Sequence, residues 1–309
     1  MNTGLRGLRF ASVLLVTLLT ACSMFSSKKP SIEPAPLVNF KPSLAVRTLW
    51  KADLGRAASP FLAPVFADGK VYAAGSDGKV AAFDAASGRQ LWNVTVDADI
   101  AAGVGADATT VVAASARGTV FAFDAASGKQ RWKVKVTTEV LSAPAVGSGV
   151  VVVRSMDNKI VAYDVETGER RWTIQRTAPA LVLRSAPGIV INDGTAFVGL
   201  PAGRLLAVNT ATGVARWDAP IAEPRGATEL ERVADVSGMP ALLGREICAT
   251  AYQGRIACVD TGNGSLRWTR EFSADVGPAM DQRYVFAADE VGSLAGFSRD
   301  TGGSLWRST

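Results

Sequence analysis

FDAASGKQRW, running from Phe123 to Trp132, is one copy of a phrase that this chain writes six times. The other copies are FDAASGRQLW ending at Trp92, YDVETGERRW at Trp172, VNTATGVARW at Trp217, VDTGNGSLRW at Trp268 and FSRDTGGSLW at Trp306. Glycine stands four positions before each tryptophan (Gly88, Gly128, Gly168, Gly213, Gly264, Gly302). An aromatic or β-branched residue stands nine before (Phe83, Phe123, Tyr163, Val208, Val259, Phe297). Successive tryptophans lie 40, 40, 45, 51 and 38 residues apart, the period of a propeller blade or a solenoid unit.

Each unit reads as four short strands. Between residues 140 and 176 these are VLSAPAVG, VVVRS, KIVAYDV and RRWTIQ, each bounded by turn residues. Fourteen positions before the tryptophans stand Gly78, Gly118, Asn158, Gly203, Gly254 and Gly292, the residue types that accept a positive φ in a tight hairpin. The next turn carries Asp84, Asp124, Asp164, Asn209 and Asp260, whose short side chains can accept turn amides. Each is alone in its unit, so the series is structural and not a calcium site. Four-stranded units that cannot bury both faces alone stack radially. The fold expected is an all-β propeller of four-stranded blades. The tryptophans (Trp92, Trp132, Trp172, Trp217, Trp268, Trp306, with Trp50 before them) then pack between blades, each indole N–H on a carbonyl.

Trp50 sits in VRTLWKADLG, which reads as an outermost strand that completes a final blade. Six repeats ending in LWRST leave that strand no blade to close. The expectation is about six blades plus an N-terminal closing strand, with a C-terminal truncation of about 30 residues for seven blades or about 70 for eight.

The 309 residues are 48% hydrophobic and 20% charged, enough for a packed core. Histidine is absent, which removes the commonest general base and metal ligand. No nucleophile elbow, phosphate loop or C-x-x-C pattern offsets the loss. The N-terminus reads as a leader, residues 1–21, with Arg6 and Arg9 preceding an apolar run from Phe10 to Leu19. Leu19-Thr20-Ala21-Cys22 resembles the lipobox of bacterial lipoproteins, which implies acylation of Cys22; an ordinary signal peptide is the alternative. Ser23 after the cysteine favours the outer membrane by the same resemblance. Residues 22–45, rich in Ser, Pro and Lys, read as a lipidated tether, leaving 46–309 for the propeller. Without Arg6 and Arg9 the net charge falls from +5 to +3, too small and dispersed for nucleic acid.

Cys248 and Cys258 flank a hairpin turning at Gln253-Gly254. A two-residue turn there pairs Cys248 with Val259, putting the thiols on opposite faces. They are expected to be two buried, unpaired residues, although an oxidising compartment allows a bridge.

The two long spacings come from the connections after Trp172 and Trp217. Both emerge on the same rim of a propeller, so they should form one patch. The first, RTAPALVLRSAPG, presents Leu181, Leu183 and Arg184; the second, AEPRGATELERVADVSGMP, presents Arg225, Glu229, Glu231, Arg232 and Asp235. Leucine beside arginine suits a protein interface. Equally, Leu181 and Leu183 could begin a strand and enter the core.

With lipobox, proline-containing tether, repeats and both insertions taken together, the chain resembles the BamB family of outer-membrane lipoproteins. The resemblance implies an eight-bladed propeller of four-stranded PQQ-like blades and a non-enzymatic scaffold in the β-barrel assembly (BAM) complex, without a cofactor. Its implied partners are the POTRA domains of BamA, contacted by Leu181, Leu183, Arg184 and Asp235, and unfolded outer membrane protein precursors. The family's second acidic position is Ser237 here. Two other readings share the repeat: a PQQ-dependent periplasmic dehydrogenase, whose vicinal cysteines are lacking here, and a general peptide-capturing sheet edge.

Overall fold

The computed structural model describes residues 44–308 apart from Ala186. The leader, Cys22 and the tether up to residue 43 lie outside the described residues. Leu44 and Ala45 are exposed and form no strand.

Six four-stranded antiparallel sheets account for all the strands among the described residues, spanning 65–95, 105–135, 145–175, 189–220, 236–271 and 279–308. We number them blades 1 to 6. Within each, the strands follow in order from first to fourth, and the first strands of successive blades touch one another, which makes them the inner ones. Blade 3 shows why these residues become strands. Its second strand, Val150–Arg154, is VVVVR and buried throughout; its third, Lys159–Asp164, buries four of six residues. Continuous β-branched runs fit strands covered on both faces, here by the neighbouring blades. Its fourth strand, Arg170–Gln175, buries only Trp172 fully.

That single buried residue joins the blades. The indole N–H of Trp132 donates to Val165 O of blade 3 at 2.9 Å, and Trp92 and Trp217 make the same bond to Ala125 O at 3.0 Å and Thr261 O at 2.9 Å. Trp172 and Trp268 follow with Thr210 O and Arg299 O. Each ring lies over the glycine of the next blade's last turn. A Cβ added at Gly168 would stand 2.8 Å from the Trp132 ring, and one at Gly128 would stand 2.7 Å from Trp92. All six of these glycines also have positive φ, between 65° and 75°. The same atom is therefore excluded twice, by the turn and by the neighbour's ring.

Trp50 occupies the equivalent slot on blade 1, with its N–H 2.9 Å from Ala85 O and its ring stacked 6.1 Å from Phe83. Its backbone corrects the expectation of a closing strand: residues 44–54 form none. No third strand lies beside it among the described residues, so only the side chain takes the repeat position. Trp306 is 45% exposed.

The cysteines require a second correction. Cys248 pairs in register with Cys258, Cα atoms 4.0 Å apart, and the two form a disulfide. The error lay in the turn. Residues 251–255 separate the last ladder pair, Thr250 and Ile256, so the loop has an odd number of residues and the positive φ falls on Gln253. An odd loop shifts the register by one and brings both thiols to the same face.

The acidic turn residues do accept amides. Asp164 Oδ1 takes the N–H groups of Glu166 and Thr167 at 2.9 and 2.8 Å, and Asn209 Oδ1 takes those of Ala211 and Thr212, both at 3.0 Å. A hydrogen bond from Arg171, followed by these amides, holds the Asp164 carboxyl down to about 2.

Candidate functional site

The connections between blades 3 and 4 and between blades 4 and 5 depart most from the repeat. In the first, residues 176–185 carry no strand, and blade 4 begins only at Ile189. The reading of Leu181 and Leu183 as the start of a strand therefore fails. Leu181 is 46% exposed and Val182 is exposed beside it, while Leu183 is half-buried. Arg184 reaches across to Glu139 on the connection between blades 2 and 3, Nη2 to Oε1 2.5 Å. Both side chains line a cavity of about 640 Å³ together with Arg56, Phe61, Asp99 and Leu141.

The second connection folds on itself. Glu231 Oε2 accepts from Ala227 N at 2.7 Å and Thr228 N at 3.1 Å, while Thr228 Oγ1 accepts from Glu231 N at 3.3 Å. This is a reciprocal capping box, and its amide bonds hold the Glu231 carboxyl below the ordinary range. Arg232 braces the same loop through Gly226 O, Ala227 O and Glu229. Three of the charges read as presented to solvent, Glu229, Glu231 and Arg232, are thus engaged within the connection, and Leu230 projects from it.

Asp235 joins the two connections. Only 4% exposed, it accepts from Leu183 N at 2.6 Å with Oδ2 and from Ala202 N at 3.0 Å with Oδ1. Ser237, beside it, is also buried and donates to Ala274 O at 2.6 Å. The four residues singled out from the sequence therefore divide by exposure: Leu181 and Arg184 face outward, Leu183 is partly covered, and Asp235 lies beneath them.

Residues 46–102 and 76–308 match the family described as "Outer membrane protein assembly factor BamB". The chain belongs to the BamB family. A Bordetella pertussis BamB is 44% identical over 290 residues, 94% of this chain and 75% of the relative. One from Alkalilimnicola ehrlichii is 52% identical over 267 residues, 85% of this chain and 70% of that one. Both bear the name outer membrane protein assembly factor BamB. The crystal structure of Moraxella catarrhalis BamB superposes with a TM-score of 0.75 at 23% identity, covering 85% of this chain and 79% of that one; at that identity it shows the shared propeller fold.

A PQQ-dependent dehydrogenase built on the same BamB-like blades would need ligands for its quinone and calcium. Among the described residues, one cluster of three potential metal-binding side chains occurs, Glu246, Cys248 and Cys258. It does not fit that role, because both sulfurs are consumed in the disulfide and Glu246 pairs with Arg299 at 2.6 Å. No step through a quinone follows from these residues.

Proposed function

We propose that this BamB-family chain is a non-enzymatic scaffold of the BAM complex. It docks on the POTRA domains of BamA and assists delivery and insertion of unfolded β-barrel outer membrane protein precursors. Supporting it most is the exposure of Leu181, Val182 and Arg184 on a connection that the repeat does not require. Apolar side chains beside an arginine on an exposed connection between blades are the chemistry of an interface anchor. The assembly-factor name borne by the relatives supplies the process.

In this reading residues 1–21 are the leader, Cys22 carries the lipid, and residues 22–45 tether the propeller of 46–309 to the periplasmic face of the outer membrane. Acyl chains contribute roughly 0.8 kcal/mol per buried CH₂, so several of them anchor the domain durably. Leu183→Ala and Arg184→Ala in the lipoprotein should each weaken co-purification with BamA by about tenfold, an interface anchor being worth more than 1 kcal/mol. Unchanged recovery of BamA by both folded variants would remove the docking reading.

A further inference from the structure

We infer that Arg176 and Arg204, in a cavity at the junction of blades 3 and 4, form a binding site for a carboxylate side chain, an aspartate or glutamate of the protein that docks on this rim. The inference deepens the docking reading and rests on it for the source of the carboxylate.

Four positions after the repeat tryptophan, blades 1, 2, 4 and 5 carry Val96, Val136, Ile221 and Phe272, each buried in the apolar core. Blade 3 carries Arg176 there. The backbone keeps its place, since Arg176 N donates to Asn158 O at 3.3 Å as Val136 N does to Gly118 O at 2.8 Å and Ile221 N to Gly203 O at 2.7 Å. Only the side chain departs. A guanidinium with 36% of its side chain exposed replaces an apolar group, and it lines a cavity of about 350 Å³. Arg204, with its side chain 38% exposed, shares that lining with Asp218, Asn158 and Thr177.

Asp218 displays how these cations hold a carboxylate. Its Oδ1 accepts from Arg204 Nε at 2.8 Å, its Oδ2 lies 3.3 Å from Arg176 Nη2, and Arg204 Nη2 donates to the Asp218 backbone O at 2.7 Å. One carboxylate between two guanidiniums leaves a positive charge in the cavity. Arg176 is the less satisfied of the two, because its Nε has no acceptor among the described residues. Behind the lining the charges cancel: Arg154 bonds to Asn158, and Asp235 accepts from Ala202 N. An arginine presents its donors in a planar fork that matches a carboxylate, and such charge-assisted bonds are about twice as strong as neutral ones. The source follows from position. Thr177, Ala178 and Pro179, at the start of the connection that carries Leu181 and Arg184, form one wall of the cavity. A partner seated on that exposed segment brings its surface to the cavity, where an acidic side chain meets the unbalanced charge.

Titration of the full-length lipoprotein in detergent with sodium succinate at constant ionic strength, read from arginine Nε–Hε NMR signals, tests the site. The Arg176 and Arg204 signals should shift and saturate together, while that of exposed Arg89 in blade 1 should not saturate. Asp218→Asn removes the resident carboxylate and should tighten succinate binding by about fourfold. Arg176→Gln combined with Arg204→Gln should weaken binding of BamA by about tenfold, as loss of a charge-assisted contact does. Wild-type signals that fail to saturate overturn the site, and that measurement depends on no variant folding. Weaker succinate binding by folded Asp218→Asn reveals a closed ion-pair network and overturns it as well. Saturation with unchanged BamA binding by the folded double variant, while Leu183→Ala and Arg184→Ala bind poorly, overturns the assignment of the carboxylate to the partner. If Leu183→Ala and Arg184→Ala bind BamA normally while succinate saturates the wild type, the site is supported and the docking reading fails.

Discussion

Gly168→Ala should destabilise the propeller far more than Gly149→Ala, although both sit in blade 3 at nearly the same backbone conformation. Their φ values are 74° and 76°. Alanine in the left-handed region costs roughly 1–2 kcal/mol, and both variants carry that cost. At Gly149 nothing lies within 4 Å of the new methyl group, so the loss should end there. At Gly168 the methyl would stand 2.8 Å from the Trp132 indole, which must move. Moving it breaks the bond from the indole N–H to Val165 O, 2.9 Å long and half-buried. An orphaned donor of this kind costs about 1–3 kcal/mol, giving a total of about 2–5 kcal/mol. Urea unfolding followed by tryptophan fluorescence measures both losses. Equal losses would show that these glycines serve only the turn and that the blades are not joined through the tryptophan slot.

Three further outcomes follow from the same structure. Trypsin digestion without reductant should recover residues 246–255 and 256–267 as one linked species, and Cys248→Ala with Cys258→Ala should cost about 2–3 kcal/mol, as expected for a loop of this length; separate peptides would contradict the bridge. The Asp164 carboxyl titrates at about 2 in the fold against an ordinary 3.8, so its contribution is fully present above about pH 4 and disappears as pH falls toward 2. Asp164→Asn should flatten the dependence of Tm on pH in that window, and parallel curves would count against the pairing with Arg171. Cys22→Ser should abolish incorporation of labelled palmitate and release the chain from membranes; continued labelling would place the acyl group elsewhere.

The propeller was legible because its determinants are local and repeated. A glycine at positive φ and a tryptophan stand at fixed offsets in all six copies, an Asx acceptor joins them in five, and each has one conformation that satisfies it. Two features escaped because they depend on parity or on a missing neighbour. Whether Cys248 faces Cys258 turns on whether the loop holds an even or odd number of residues, which Gln253-Gly254 does not disclose: the positive φ went to glutamine. The strand expected around Trp50 had the right side chain for the slot but no adjacent strand to hydrogen-bond it. In the insertions, residue type revealed where the chain departs from the repeat, yet not which groups face out. Asp235 and Leu183 are 52 residues apart, and only the fold brings that carboxylate under that amide.

The claim on which the functional account stands is that the rim bearing residues 181–184 meets BamA. Site-specific photocrosslinking in intact cells tests it directly, with the crosslinking amino acid placed at exposed Leu181 and, as a control, at exposed Leu266 on the fourth strand of blade 5. The account predicts an adduct with BamA from position 181 and none from position 266. An adduct from 266 alone, or none from 181 in a folded and correctly localised protein, would contradict it.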